Sequence, residues 1–372
     1  MSWLLSYFRN MKWNKSKIKN ISIASRWSHY SNGLILDSKD SNNPVWIVGS
    51  IWFETWFLGL EERLQLVLSN RLMQSSSESM ENYLIRNDLD PPKNNDIDMW
   101  KELQTEWHER GMGIFSLFEK EENGDIKLLI NNYPNLYIAI GYLLSAWETM
   151  MCSRYKSYWN DSELSILLTL TPTSDNFPPP QPISNGVFID GKSSLSDSSE
   201  WWEMLKIDPE GSWSISNDRK MVVSRDLFER FIKSSIPYVN DINFPRLKNY
   251  NWNSIDDLNS IWWSAAADSA RAMFISESYH VMIDKTDDWK NVGYRHLQKN
   301  GLGVINKVQR YDDNGGIILH MKSLFHPSIS CGILLACWER AYGRNGQLIF
   351  TNENNMYIVK IFSSLVVTPP NS

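Results

Sequence analysis

The sequence predicts a mixed α/β protein, an α+β sandwich in which two tandem copies of a helix-plus-antiparallel-hairpin domain close into an intramolecular pseudo-dimer. Three observations lead there. Nearly the same ten residues occur twice, GYLLSAWETM at 141–150 and GILLACWERA at 332–341. Further matches flank that pair in the same order along the chain. Between turn signals, short apolar runs of strand length alternate with stretches of helical period.

Each copy opens with a turn and a short apolar strand, SNGLILDS at 31–38 and SNGVFIDG at 184–191. A second strand follows, Trp46 to Val48 and Met221 to Val223, and leads into an amphipathic helix: WIVGSIWFETWF at 46–57 matches MVVSRDLFERFI at 221–232. The next helix opens at DMWK (98–101) or DDWK (287–290), with Asp98 and Asp287 as N-caps, and stops at Gly111 or Gly301. A hairpin comes next. Asn123-Gly124 and Asn314-Gly315 are its turns, since both residue types accept positive φ. The repeated helix and a last strand or hairpin (Leu164 to Leu170; Gln347 to Val366) end each copy, at LLTLTP and LVVTPP.

The separation between matched segments grows from 153 residues at SNG to 175 at Phe53/Phe228 and about 190 at the GxG stretches. Two insertions in the second copy account for it. One is SSLSDSSEWWEMLKIDPEGSW (193–213), read as a surface excursion; the other precedes DDWK, where 254–283 reads as helix. The chain therefore divides into a basic aromatic arm (1–30), copy one (31–172), a proline-rich linker (173–183) and copy two (184–367).

Composition excludes several classes. Apolar residues make up 42% and charged residues 22%, as in folded globular chains. Net charge is −6, and the arm contributes six cations and no acid, so the acidic body argues against a nucleic-acid partner. No run approaches the ~18 apolar residues of a membrane span. The arm's interleaved aromatics and cations suit an anionic membrane surface or an acidic partner. Three cysteines build no disulfide framework and fit a reducing cytoplasm. Eighteen tryptophans point to aromatic cores, pockets or interfaces.

In the repeated helix Gly141, Leu144 and Glu148 share a face, as do Gly332, Leu335 and Glu339, with Trp147 and Trp338 beside them. One reading is a core helix laid across the hairpin with Trp plugging the core. The other is an apolar pocket whose few polar groups are the glutamates, which makes Trp147, Glu148, Trp338 and Glu339 the candidate ligand-binding residues. Other motifs carry less. GVFIDGKS at 186–193 satisfies the phosphate-loop pattern without its strand–loop–helix context. His320, His326, Cys331 and Cys337 lack metal-ligand spacing, and buried thiols with a helix-start histidine explain them. His108 sits at a helix end where a cation suits the dipole. Ala265, Ser269 and Ala272 form a helix–helix seam.

The order helix, GxG, Asn-Gly hairpin, G-x-L-L-x-x-W-E helix and terminal hairpin resembles the vinyl-reductase-type domains, relatives of small subunits of vesicle-tethering complexes. The likeness runs from about Asp98 to Leu170 and from about Asp287 to Phe362. It implies a sandwich that binds small apolar molecules or dimerises, often as a sensor. Family cysteines cluster near the last helix and hairpin; Cys331 stands at such a place, while TNENNMYIVKIF (351–362) has none. The expected function is non-catalytic binding of a hydrophobic small molecule, a protein partner, or both, with no cofactor specified. Alternatives are a scaffolding subunit using Trp201-Trp202 and the arm, or an enzyme acting through Glu148 or Glu339 on a hydrophobic or tetrapyrrole-like substrate.

Overall fold

The computed structural model describes residues 23–40, 43–162, 165–175, 178–181, 183, 193–240, 245–354 and 356–364. The match at 184–191, the GVFIDGKS stretch up to Lys192 and the arm up to residue 22 lie outside them.

A six-stranded sheet joins the two halves of the chain. After a one-turn helix α1 (Ile23–Arg26) come β1 (Trp27–His29), β2 (Ile35–Asp37) and β3 (Asn43–Gly49). The later half adds a short helix α6 (Ser199–Trp202), β8 (Leu205–Ile207), β9 (Trp213–Ile215) and β10 (Asp218–Ser224). The strand order is β1-β2-β3-β10-β9-β8. β3 and β10 meet antiparallel, Gly49 opposite Lys220 and Val45 opposite Ser224, with Ile47 facing Val222 at the midpoint. Side chains alternate across a strand. Val45, Ile47 and Val222 therefore join a small core with Trp27 and Trp213, while Trp46, Val48, Met221 and Val223 join the main one.

From β3 the first half runs through α2 (Ser50–Leu64), α3 (Ser69–Arg86), α4 (Lys101–Glu109), β4 (Ile114–Lys120), β5 (Ile126–Asn131), α5 (Leu136–Met151), β6 (Arg154–Ser162) and β7 (Ser165–Thr173). Its strands form a sheet in the order β4-β5-β7-β6. From β10 the second half runs through α7 (Arg225–Ser235), β11 (Tyr250–Trp252), α8 (Asp257–Ser276), α9 (Asp288–His296), β12 (Lys307–Arg310), β13 (Ile317–Met321), α10 (Pro327–Tyr342), β14 (Gly346–Glu353) and β15 (Met356–Ser363). Its sheet is β11-β14-β15-β13-β12, antiparallel except where β11 adds parallel to β14.

Helices cross between the halves. α2 packs on α8, where Trp56 Nε1 donates to the Ala266 carbonyl at 3.1 Å and Ser269 Oγ to the Trp56 carbonyl at 2.6 Å. α7 packs on α3 through Ser75–Ser234 and Ser79–Ser224 hydroxyl contacts of 3.0 and 3.4 Å. The hairpin tips cross as well. Gly303 N–H donates to the Gly33 carbonyl at 3.0 Å, and Gly113 N–H to the Gly211 carbonyl at 3.1 Å. Gly33 and Gly211 share a φ of +79°, and a Cβ on either would strike the facing glycine's backbone. Only glycine serves there.

Several expectations change. Residues 193–213 lie mostly at the surface, as expected, but they also extend the central sheet: β8 and β9 form its edge, and Trp213 turns inward to donate to the Glu109 carbonyl at 3.2 Å alongside Trp27 at 3.1 Å. The helix within 254–283 is α8, which stands in the second half where α3 stands in the first; the extra residues there lie between α7 and α8. α4 starts at Lys101, three residues past Asp98, because the Asp98 carboxylate accepts from Leu117 N–H of β4 at 2.8 Å. α9 has Asp287 at its N-cap position, but no side-chain cap bond. At the Asn-Gly turns only Gly124 and Gly315 take positive φ. Asn123 Oδ1 instead accepts from Asp125 N–H at 2.9 Å inside a wider loop. Arg26 leaves the arm for the interior, as described next.

Candidate functional site

The repeated helix places its three marked residues in the same way in both halves. Gly141 lets α5 lie against α3, where a Cβ would overlap Ser76 Oγ and the Met73 carbonyl. Gly332 lets α10 lie against α8, where a Cβ would overlap the Ala267 carbonyl. Trp147 and Trp338 are buried in the main core; Trp338 Nε1 donates to the Gly315 carbonyl at 2.8 Å. Glu148 accepts from Tyr155 N–H at 2.8 Å and from Arg154 at 2.8 Å. Glu339 accepts from Gly346 N–H at 3.0 Å and from Arg271 at 2.5 Å. Each glutamate thus holds the start of the strand that follows its helix. Burial raises the Glu148 pKa, and the Tyr155 N–H and Arg154 oppose that rise. The two Trp-Glu pairs sit on different helices in different halves; among the described residues Glu148 borders a groove of about 540 Å³ with Arg154 and Cys152, and Glu339 is not part of its lining.

A dense ion cluster fills the space beneath the first hairpin. Arg26 donates to Asp37 at 2.7 and 2.9 Å, to Glu106 at 2.7 and 2.8 Å and to Glu109 at 2.6 Å. Arg110 pairs with Glu106 and, at 3.2 Å, with Asp37, and Tyr83 donates its hydroxyl to Glu106 at 2.7 Å. Burial alone would push Glu106 up, but Arg110 and Arg26 hold it well below the carboxylate range. Burial pulls Arg26 down, and Glu106 and Asp37 overcome that. Lys39 pairs with Glu109 at 2.8 Å, so each charged side chain of the cluster has an opposite partner, with Arg110 Nη1 left without a hydrogen bond; the gap beside Arg110, Tyr142 and Ser224 is about 10 Å³.

At the opposite end of the β3–β10 pair the space is open. A cavity of about 320 Å³ lies between the central sheet, α8 and the end of α9. Trp46, Trp52, Phe274 and Tyr279 supply apolar wall, and Arg295 and Lys299 supply charge. His296 stands edge-on to Phe274, ring centroids 4.8 Å apart, and burial together with Arg295 pushes it down to about 4. At the rim Lys220 is paired with Asp218 at 2.5 Å. Arg295 and Lys299 form no ion pair among the described residues; Lys299 lies 5.2 Å over the Tyr294 ring. Arg295 and His296 also border a second cavity of about 450 Å³, whose Asp288 carboxylate accepts from the Asp284 and Lys285 N–H groups at 2.9 and 2.7 Å.

Among the described residues no three His, Cys, Asp or Glu side chains converge as a metal set would. Cys331 and Cys337 lie inside α10, where burial pushes both thiols up. His326 caps α10, its Nδ1 accepting from Ser328 N–H at 3.3 Å. His108 is buried at the end of α4; burial lowers its pKa, Glu109 and Asp208 oppose that, and the burial works against the helix-end cation expected. No described helix is long and apolar enough to cross a membrane.

Comparison with protein-family models, with curated proteins and with solved structures gives no match to this chain. Of the cavity's lining residues, sequence singled out Trp201, and that as a contact surface rather than a pocket wall. The signal lay in differences between matched segments. Trp46 and Trp52 stand where the second segment has Met221 and Leu227, and Lys299 stands where the first has Glu109.

Proposed function

We propose that the protein is a non-catalytic binding protein that takes a small, largely apolar molecule into the cavity beside β3 and α9. The cavity carries the reading: about 320 Å³, with Trp46, Trp52 and Phe274 as an apolar wall and polar side chains such as Asp218, Lys220, Arg295 and Lys299 opposite, it has the size of small-molecule sites and their pairing of aromatic wall with polar groups. We further propose that the chain is a tandem duplication of vinyl-reductase-type domains. In its support, the register about Ile47–Val222 is what a two-fold axis yields when residues 175 apart are equivalent. The order β4-β5-β7-β6 also recurs as β12-β13-β15-β14. The crossed packing of α2 on α8 and α7 on α3 fits the same axis. A binding role suits such a pair, since the crossing elements enclose a chamber at each end of the shared strands, one filled by the ion cluster and the other open.

Mass spectrometry of the purified protein, native and then denatured, tests the reading. The expected result is a small molecule released on unfolding, or, for protein purified empty, a raised unfolding temperature with apolar ring compounds. Empty protein that no such compound stabilises would refute it.

A further inference from the structure

The two ends of the β3–β10 pair are chemically unlike, and the difference indicates what the open end binds. The place of the hairpins in the sheet sets β1-β2-β3 against β8-β9-β10, and so replaces the SNG match of 31–38 with 184–191: Gly33 corresponds to Gly211, Arg26 to Met204 and Asp37 to Ile215. Counting from Gly111 and Gly301, Glu106 corresponds to His296, Glu109 to Lys299 and Arg110 to Asn300. At the first end those residues, with Lys39 on Glu109 at 2.8 Å, are a self-neutralising ion cluster that leaves about 10 Å³. At the second end Met204, Ile215, His296, Lys299 and Asn300 all line the cavity of about 320 Å³. Three internal carboxylates are gone, and one is replaced by a cation.

We infer, building on the ligand reading above, that the cavity's ligand is an amphipathic anion: a ring-sized apolar body against Trp46, Trp52 and Phe274, with an anionic head at Arg295 and Lys299. The charge balance supports this. Asp218 is the cavity's one lining carboxylate among the described residues, and Lys220 already neutralises it. Two cations remain at a partly apolar wall, where Coulomb attraction is stronger than in bulk water. His296 adds no charge near neutral pH, since its pKa is pushed down to about 4. The space left by the missing side chains is where the anion would sit, meeting cations as Asp37 and Glu109 meet Arg26 in the closed chamber. Carboxylate, sulfonate and phosphate heads share this chemistry.

Fluorescence titration with 8-anilinonaphthalene-1-sulfonate, and with N-phenyl-1-naphthylamine as the same ring body without the charge, tests the inference on the full chain. The expected result is one saturable site that prefers the sulfonate at least tenfold. In an Arg295→Ala/Lys299→Ala double variant that preference disappears while the uncharged probe binds as before, which also shows the fold intact. Lys299→Glu, which copies Glu109, weakens the sulfonate further. Equal binding of the two probes, or a sulfonate affinity unmoved in the double variant, overturns the anionic head and leaves the apolar ligand reading standing. Binding of neither probe removes both.

Discussion

A methyl group at Gly141 or Gly332 has no free space, and this conflicts with helix propensity. Alanine is a better helix former than glycine by about 1 kcal/mol. Against that gain stands overlap with the Met73 carbonyl and Ser76 Oγ at Gly141, and with the Ala267 carbonyl at Gly332. A hydroxyl rotates away; a carbonyl in a packed helix does not. Overpacking of this kind costs about 1–3 kcal/mol, so packing outweighs propensity. Both Gly141→Ala and Gly332→Ala are expected to lower the midpoint of urea unfolding with little change in its slope. A raised midpoint for either variant would mean that close approach is not the reason for the glycine. The neighbouring glutamates follow the same logic: with a strand N–H and an arginine on each, Glu148 and Glu339 are engaged in holding helix to strand.

At the level of elements, the start of α10 gives a pH dependence. His326 occupies the position that Asn135 holds at α5, and both side chains accept a backbone N–H of the first turn. Protonation would destroy that acceptor. Burial, with Arg225 nearby, holds His326 well below its ordinary pKa, and His29 and His296 are pushed down to about 4. Unfolded histidine takes its proton near 6.5. Between these limits the unfolded chain binds more protons, so stability rises with pH, is complete above about 6.5 and is lost as pH falls toward 4. Each histidine adds up to about 1.4 kcal/mol per pH unit to that slope. His326→Asn, which keeps a cap, is expected to flatten it between pH 7 and 5 in denaturant titrations; an unchanged slope would place the proton uptake elsewhere. Elements such as β3, β10, α5 and α10 were legible because apolar period and turn chemistry are local. The start of α4 was not, because Asp98 is engaged by Leu117, a partner that only the fold brings near. Residues 193–213 were half legible for a related reason: their serines and charges do lie at the surface, but the inward turn of Trp201 and Trp213 depends on the sheet they join. The cavity was least legible. Its walls come from five separated stretches, near 46–52, 201–220, 274–279, 295–302 and at Ile333, and self-matching draws attention to what two segments share, whereas this site lies mostly where they differ.

For the whole molecule the decisive question is whether either half stands alone. β3 and β10 are the middle of one sheet, and separating them would expose Val45, Ile47, Met221 and Val223 together with two unpaired strand edges. Exposed edges of that kind seek another chain. The crossed contacts make the dependence mutual. Gly33 of the first half meets Gly303 of the second, Gly211 meets Gly113, and Arg63 of α2 pairs with the buried Asp268 of α8 at 2.7 Å. Fully burying each large apolar side chain contributes roughly 1.5–3 kcal/mol, and Trp56, Phe57, Phe228 and Phe231 lie on the crossing helices. Losing all four, roughly 6–12 kcal/mol on that scale, is comparable with the whole of the roughly 5–15 kcal/mol by which a domain is ordinarily stable. Cutting the chain between residues 175 and 183 should therefore yield two fragments that each lack cooperative thermal unfolding when expressed alone. Co-expressed, they are expected to recover a one-to-one complex with the circular dichroism of the intact chain. A fragment that unfolds cooperatively by itself as a monomer would show that the central sheet joins two independent domains rather than forming the core of one.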